Sequence, residues 1–207
     1  MSKQHLYRIL FYGVFLIILL ISSFLNQVHA ADITGDGTSD LIIGIPFEGI
    51  VGAVSNAGAV ATLQGSKDLG LTSADQLIFQ GDVQEISELG DFFGFVLSVG
   101  DYNGDGIYDA AVGVPNEAWN DLTNAGMVQI IYGKVGLGLD IDEVDIIKQD
   151  NFTSIGYPSE SEDYFGRSLA TGDFNGDGYD DLAISAPDES LCISSIYLDL
   201  AGIVHVI

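Results

Sequence analysis

The stretch Gly172–Pro187, with the sequence GDFNGDGYDDLAISAP, has two further copies in the chain. Acids and glycines fill its first half, and an apolar run fills its second half. Gly100–Pro115, GDYNGDGIYDAAVGVP, is a close copy, and Ala31–Pro46, ADITGDGTSDLIIGIP, is a rougher one. Equivalent residues lie about 70 positions apart, and recurrence at a constant spacing indicates one supersecondary unit used several times.

Each unit reads as β structure. Its apolar runs are short, rich in Val, Ile, Leu and Phe, and bounded by Gly, Pro, Asn and Asp, which favours strands over helices. In the second unit, one strand starts at Phe93-Gly94, a second ends at Pro115, a third spans Met127–Tyr132, and a possible fourth spans Val144–Lys148. Four antiparallel strands in about 70 residues make one propeller blade. We therefore expect an all-β fold built from β-propeller blades.

A small residue stands inside the second strand of every unit. It is Gly44, Gly113 or Ser185. A glycine in a strand often marks a place where another backbone comes close, although a simple β-bulge would use it as well.

The acidic half of each unit has the pattern of a calcium loop. Counted from its first Asp, oxygen-bearing side chains fall at positions 1, 3, 5 and 9, and a backbone carbonyl can serve at position 7. Oxygen ligands suit Ca²⁺, whereas zinc and copper prefer His and Cys. The candidate ligands are Asp101, Asn103, Asp105, Ile107 and Asp109 in the second unit, Asp173, Asn175, Asp177, Tyr179 and Asp181 in the third, and Asp32, Thr34, Asp36, Thr38 and Asp40 in the first.

Two other interpretations of these loops were weighed. An EF-hand requires a bidentate Glu at position 12 and flanking helices, but position 12 is Ile43, Val112 or Ile184, within an apolar strand. A single loop of this kind would also fit a solvated Asx turn. Recurrence at constant spacing favours calcium over that alternative. The first loop is expected to bind most weakly, because Thr34 stands where the other copies have asparagine.

Charge and the amino terminus limit the possible partners. Residues 1–30 hold Lys3 and Arg8, an apolar block from Ile9 to Leu25, and a small-residue ending at Ala30, as in a signal peptide. An uncleaved membrane anchor is the alternative. Residues 31–207 carry four basic and thirty acidic residues, so their formal charge is 4 − 30 = −26. Nucleic acid is excluded as a natural partner, because phosphate binding needs a basic surface.

The ordered blocks resemble the FG-GAP repeat of integrin α-chain N-terminal propellers and of secreted bacterial repeat proteins. Phe165-Gly166, Asp173–Asp181 and Ser185-Ala186-Pro187 match that repeat most closely. The resemblance implies about seven blades, calcium loops on one face, and partner binding on the opposite face. It divides the chain into a first repeat over 31–92, which lacks the Phe-Gly strand, a second over 93–164, and a truncated third over 165–207.

The loops that follow each proline would lie on the partner-binding face. They span 47–56, 116–124 and 188–199, and Trp119 is the large aromatic among them. It can anchor a partner or fold back onto its own blade, and the second interpretation is favoured.

Two functional classes remain open at this point. One is a secreted, non-catalytic module that binds an extracellular protein or a matrix or cell-surface ligand. The other is the accessory propeller of a secreted hydrolase whose catalytic domain lies beyond Ile207. In either case the remaining blades would come from a longer chain. His205 lies in the apolar run Ile203–Ile207, which indicates a core histidine, and no catalytic triad can be assembled. Asn151 begins a glycosylation sequon.

Overall fold

The computed structural model describes residues 27–49, 55–83, 85–155, 157–193 and 195–207. The predicted signal peptide, and the anchor weighed against it, fall almost entirely outside these residues. Within the described ranges, no helix has both the length and the apolar character needed to cross a membrane.

Three antiparallel sheets follow one another along the chain. The first has the order β1 (Val28–Ala31), β2 (Asp40–Ile45), β3 (Ala59–Ser66), β4 (Gly70–Phe79), and the second has the order β5 (Val96–Gly100), β6 (Asp109–Val114), β7 (Met127–Lys134), β8 (Gly138–Ile147). The third has the order β9 (Leu169–Gly172), β10 (Asp181–Ala186), β13 (Ile203–Val206). Between β10 and β13 in the chain, β11 (Leu191–Ile193) and β12 (Ile196–Leu198) form a separate two-stranded hairpin. Short 3₁₀ turns at Gln80–Asp82 and Gln149–Ile155 follow β4 and β8. The predicted all-β fold of propeller blades is confirmed.

The fourth strands are longer than the sequence suggested. The fourth strand of the second unit is predicted at Val144–Lys148, but β8 begins at Gly138, and β4, its counterpart in the first unit, begins at Gly70; each contains ten residues. Both glycines have positive φ, 73° and 91°, which fits the tight turn that opens each strand. The middle of β8 carries the exposed acids Asp142 and Glu143, and these interrupt the apolar run by which a strand is predicted from the sequence.

The first repeat has a strand in front of its acidic loop, although it lacks the Phe-Gly pair. β1 pairs with β2 from Val28 opposite Ile43 to Ala31 opposite Asp40. Without a Phe-Gly pair to mark it, this strand could not be predicted from the sequence. The predicted cleavage after Ala30 therefore falls inside a strand of the first sheet.

The core lies between neighbouring sheets. Side chains of β6 alternate, with Ala110, Val112 and Val114 in the cluster shared with the first sheet and Ala111 in the cluster shared with the third. A strand buried on both faces reads as a continuous apolar run, as β6 does. Each cluster includes a Phe from a Phe-Gly pair, Phe93 in the first and Phe165 in the second, and both are fully buried.

Each Phe-Gly pair also ties its sheet to the preceding repeat through the backbone. The Phe93 N–H donates to the Ala57 carbonyl at 2.9 Å, and Gly58 bridges Phe93 in parallel fashion. The Phe165 N–H donates to the Ala125 carbonyl at 3.0 Å in the same way. The recurring Ala-Gly pairs are therefore the docking points for the next repeat.

The glycines in the second strands of the first two repeats lie where two backbones come close together. A Cβ added to Gly44 would lie 2.2 Å from the Gly94 carbonyl oxygen, and one added to Gly113 would lie 2.3 Å from the Gly166 carbonyl oxygen. The predicted close approach of two backbones is thus confirmed at both glycines. In the third repeat the corresponding residue is Ser185, whose hydroxyl accepts the Ser168 N–H at 3.0 Å.

Candidate metal-binding loops

The acidic loops connect the first strand to the second in all three sheets. In the second sheet, Asp101 Oδ1 accepts the N–H groups of Gly104 at 2.8 Å and Asp105 at 3.0 Å, and its Oδ2 accepts the Gly106 N–H at 2.9 Å. Gly104 and Gly106 have φ of 75° and 85°, a conformation that glycine adopts at low cost. The position-1 carboxylate therefore organises the turn around itself.

The third and first loops repeat this arrangement. Asp173 accepts the N–H groups of Gly176, Asp177 and Gly178. Asp32 accepts those of Asp36 and Gly37, and the Thr34 hydroxyl donates to it at 3.4 Å. The first loop shares the bonds from positions 5 and 6, but in the described structure the Thr34 hydroxyl bonds Asp32 where the other loops use the position-4 amide.

Positions 3, 5 and 7 form a second layer of contacts. In the second loop, Asn103 Oδ1 accepts the Asp105 N–H at 2.9 Å, and Asp105 Oδ1 accepts the Ile107 N–H at 2.8 Å. The position-5 carboxylates of the other loops likewise accept the position-7 amides: Asp177 from Tyr179 and Asp36 from Thr38. Position 7 thus enters the network through its backbone N–H, whereas its candidate role as a ligand uses the backbone carbonyl.

The position-9 carboxylate anchors the first and second loops to their sheets. Asp109 is fully buried, and it accepts the Tyr102 N–H at 3.0 Å and the Gly133 N–H of β7 at 2.9 Å. Asp40 makes the corresponding bonds to Ile33, Thr34 and the Gly65 N–H of β3. Burial raises the pKa of Asp109 to about 6, although its two backbone hydrogen bonds act in the opposite direction.

Asp181 in the third loop has a smaller set of partners. It accepts the N–H groups of Phe174 and Asn175, and the side-chain amide of Asn175 donates to it at 3.1 Å. Its contacts all lie within the loop, whereas Asp109 and Asp40 also reach the third strand of their own sheets.

The donor chemistry fits a hard cation, but the side chains do not converge on one point. No group of three or more Asp, Glu, His or Cys side chains at metal-binding spacing occurs among the residues described. The carboxylates are turned toward the amides of their own loops instead. An ion would be held only after these side chains rotate toward it, and calcium tolerates such flexible oxygen geometry.

Neighbouring loops are joined to one another, which the sequence pattern did not predict. The Asp101 N–H donates to Asp180 Oδ2 at 2.9 Å, and the Asp180 N–H donates to the Asp101 carbonyl at 3.2 Å. Between the first and second loops, the Tyr108 N–H donates to the Asp32 carbonyl at 3.2 Å. Asp180 and Tyr108 both occupy position 8, so the link connects position 8 of one loop to position 1 of the loop before it.

On the opposite face, Trp119 folds back onto its own blade. It is half-buried, its backbone pairs with Leu122, and the Lys148 ammonium lies 4.8 Å from its ring centroid. The favoured interpretation of Trp119 is thus confirmed. His205 is also a core residue, 3% exposed, with its ring 4.5 Å from that of Phe152.

The same face contains buried acids that sequence reasoning missed. Glu117 and Glu189 are 5% and 1% exposed, although carboxylates are rarely buried unless paired. A signal was present, because both residues belong to a recurring Pro-x-Glu pattern, Pro115-Asn116-Glu117 and Pro187-Asp188-Glu189. No prediction was made from that pattern.

Comparison with known proteins agrees with the repeat and its geometry. The family model described as FG-GAP repeat matches residues 24–63, 93–131 and 165–207. The first match includes β1, and the second and third start at Phe93 and Phe165.

Among individual proteins, the chain is 33% identical over 159 residues to phosphatidylinositol-glycan-specific phospholipase D of Mus musculus, covering 76% of this chain and 18% of the relative. It is 30% identical over 167 residues to integrin alpha-5 of Xenopus laevis, covering 80% of this chain and 14% of the relative. Integrin alpha-V of Gallus gallus is 40% identical over 96 residues, which is 46% of this chain and 8% of the relative. The chain thus spans less than a fifth of the length of these relatives, and it belongs to the FG-GAP repeat family.

Proposed function

We propose that this chain is part of a secreted, calcium-binding β-propeller module that binds an extracellular protein, or a matrix or cell-surface ligand, without catalysing a reaction. The observation that carries the calcium assignment is the threefold recurrence of one loop geometry at the start of β2, β6 and β10. A solvated turn would not need the same oxygen ligands at the same positions three times.

Charge supports a cation in these loops. The position-1, position-5 and position-9 carboxylates of one loop carry like charges close together, and without a counter-ion they repel. In the second loop, the charges of Asp105 and Asp101 contribute to the raised pKa of Asp109. A divalent cation would remove that repulsion and draw the three carboxylates together.

Ligand binding is assigned to the face opposite the calcium loops. The hairpin β11–β12 extends from the third sheet there, and its apolar side chains are largely exposed, with Ile196 at 62% and Tyr197 at 63%. Exposed aromatic and aliphatic side chains are suited to partner contacts. The integrin relatives support this assignment to the extent that they share the repeat.

A second candidate is favoured by one specific observation. The phospholipase D relatives match 76% of this chain, so the same repeats also occur in enzymes. As the accessory propeller of a secreted hydrolase, this chain would serve alongside a catalytic domain elsewhere in the protein. Reading the frame beyond Ile207 separates the candidates, because further repeats support a binding module and a hydrolase domain supports the alternative.

Calorimetric titration of the chain with Ca²⁺ tests the metal assignment. We expect binding that is lost at one loop in Asp101→Ala, at another in Asp173→Ala, and at both in the double variant. Glu143→Gln is the matched control, since Glu143 is an exposed acid on β8 outside the loops. Wild-type binding in the double variant, or no binding by the wild type, would show that the loops are solvated turns.

A further inference from the structure

Two sets of buried polar side chains join consecutive repeats, on the face opposite the acidic loops. Each set combines a Gln that follows the fourth strand of one sheet, an Asp two residues before the next Phe-Gly pair, and a Glu of the next repeat. We call the two acids of a set a junction carboxyl pair. The sets are Gln80 with the pair Asp91 and Glu117, and Gln149 with the pair Asp163 and Glu189.

All six side chains are removed from solvent. Gln80 and Gln149 are 0% exposed, and the exposure of the four acids does not exceed 5%. Each Asp directly precedes the aromatic residues of a Phe-Gly segment, and each Glu is the third residue of a Pro-x-Glu pattern. Both sets therefore occupy one position in the repeat.

The charged groups around the pairs are almost all acidic. Glu85 and Glu88 lie near Glu117, and Glu88 is also beside Asp91. Glu160 acts on both acids of the other pair. The cation in this region is Lys148, whose ammonium is 3.4 Å from Glu85 and covers the Trp119 ring. Within the described part of the chain, neither pair makes an ion pair of its own.

Each Gln side chain is hydrogen-bonded to the Glu of its set. The Gln80 amide donates to Glu117 Oε2 at 2.5 Å, and the Gln149 amide donates to Glu189. Burial, together with the nearby charge of Glu189, raises the pKa of Asp163. Two such carboxyl groups can share a hydrogen bond only when one of them carries a proton, because an ionised carboxylate is an acceptor only.

The buried amide oxygens fit the same explanation. Oε1 of Gln80 and Oε1 of Gln149 have no hydrogen-bond partner in the described structure. A buried acceptor without a donor is costly. Half a turn of the amide would present that oxygen to a protonated Glu, so a proton on the pair would supply a donor to the buried acceptor.

We propose that each junction carboxyl pair holds one proton at neutral pH, and that this proton helps to hold consecutive repeats together, so that alkaline pH loosens the junction. The site is distinct from the calcium loops, and the proposal does not depend on calcium binding.

The expected direction of the pH effect follows from burial. Burial raises the pKa of Glu117 to about 8 and that of Asp163 to about 7. A carboxyl whose pKa is higher in the folded state than in the unfolded state stabilises the fold most at low pH. That stabilisation is lost as the pH rises from the unfolded value through the folded value. The loss should therefore begin at about pH 4, continue through neutrality, and be complete above about pH 8.

Thermal unfolding of the full chain between pH 6 and pH 9 tests the proposal. The wild-type melting temperature should fall as pH rises, and Glu117→Gln combined with Glu189→Gln should remove most of that fall, because glutamine imitates the protonated acid. Glu48→Gln is the matched control: Glu48 holds the Pro-x-Glu position of the first repeat but is only half-buried, so this variant should keep the wild-type slope. An unchanged slope in the double variant would overturn the proposal.

A second measurement covers the case in which the double variant does not fold. At pH 7 the infrared spectrum of the wild type should contain the carbonyl band of a protonated carboxylic acid, and that band should disappear above pH 9. Its absence at pH 7 would overturn the proposal. Repeating the titration with and without chelator separates a proton from a metal ion, because a band that appears only in chelator would show that a cation, and not a proton, neutralises the pairs.

Discussion

Asp101 and Asp180 exchange two hydrogen bonds between neighbouring repeats: the Asp101 N–H donates to the side-chain Oδ2 of Asp180, and the Asp180 N–H donates to the Asp101 carbonyl. Asp101 is the position-1 ligand candidate of the second loop, whereas Asp180 is a position-8 residue of the third. We therefore expect a change of conformation in one loop to alter the conformation of the other.

The first prediction is that calcium binding by these two loops is coupled. Asp180→Ala removes an acceptor that positions Asp101 without removing a candidate ligand. We expect about a fivefold loss of affinity at the second loop, which corresponds to about 1 kcal/mol for one hydrogen bond. Calorimetric titration measures the change. Asp188→Ala is the control, because Asp188 lies on the opposite face, and equal losses in both variants would show a general charge effect.

The second prediction is that calcium stabilises the fold and does not act as a switch. Extracellular calcium modules often bind at 10⁻⁴ to 10⁻³ M, so roughly millimolar calcium would add about 0.5 to 1.4 kcal/mol per site. Chelator should therefore lower the melting temperature and raise protease sensitivity. Asp109→Ala should lose more than this, since it also leaves the buried Gly133 N–H without its acceptor. A transition insensitive to chelator would contradict the prediction.

The third prediction concerns acidity. The pKa of Asp109 is raised to about 6, and a protonated carboxyl is a poor calcium ligand. Calcium affinity at the second loop should thus weaken as pH falls through about 6, because proton and ion compete for one group. Titrations at pH 5 and pH 7.5 measure this. Asp109→Asn cannot take up that proton, so any binding that it retains should vary less with pH.

The fourth prediction tests the close approach of backbones between repeats. Gly113→Ala would place a Cβ 2.3 Å from the Gly166 carbonyl oxygen, and the backbones must then separate. We expect a loss of about 1–3 kcal/mol, as for other overpacked sites. Ser185→Ala is the matched control in the third repeat and should cost less, although it removes the hydroxyl that accepts the Ser168 N–H. Denaturant unfolding compares them.

The fifth prediction concerns export. If residues 1–30 are a signal peptide, mass spectrometry of the secreted protein should find Ala31 at its amino terminus. Such a product would lack Val28–Ala30 and leave most of the inner edge of β2 unpaired. A terminus at or before Val28 would contradict the predicted site and keep β1 whole. Full-length chain in the membrane fraction would instead indicate an anchor.

The sequence was most informative where a pattern recurred. Three acidic loops and their apolar strands predicted the sheets, the loop positions and the close approach at Gly113, because each feature appears at a fixed offset. Features that occur once, or that oppose a residue's usual preference, were not predictable. β1 has no Phe-Gly pair to mark it, the hairpin β11–β12 occurs once among the described residues, and burial of Glu117 runs against the preference of carboxylates for water.

The docking of Phe93 on Ala57, and of Phe165 on Ala125, also bears on how the chain folds. In the first and second repeats, the Ala-Gly pair is contacted by an aromatic residue of the following repeat, which is synthesised some 35 to 40 residues later. Contacts of such short range close quickly, and stability in a repeat array spreads between nearest neighbours. Assembly can thus follow synthesis from the ribosome, with each sheet gaining its final protection when the next one emerges. Ala201-Gly202 continues the series, with a Gly φ of 71° like its counterparts, so it is shaped to receive the same kind of contact.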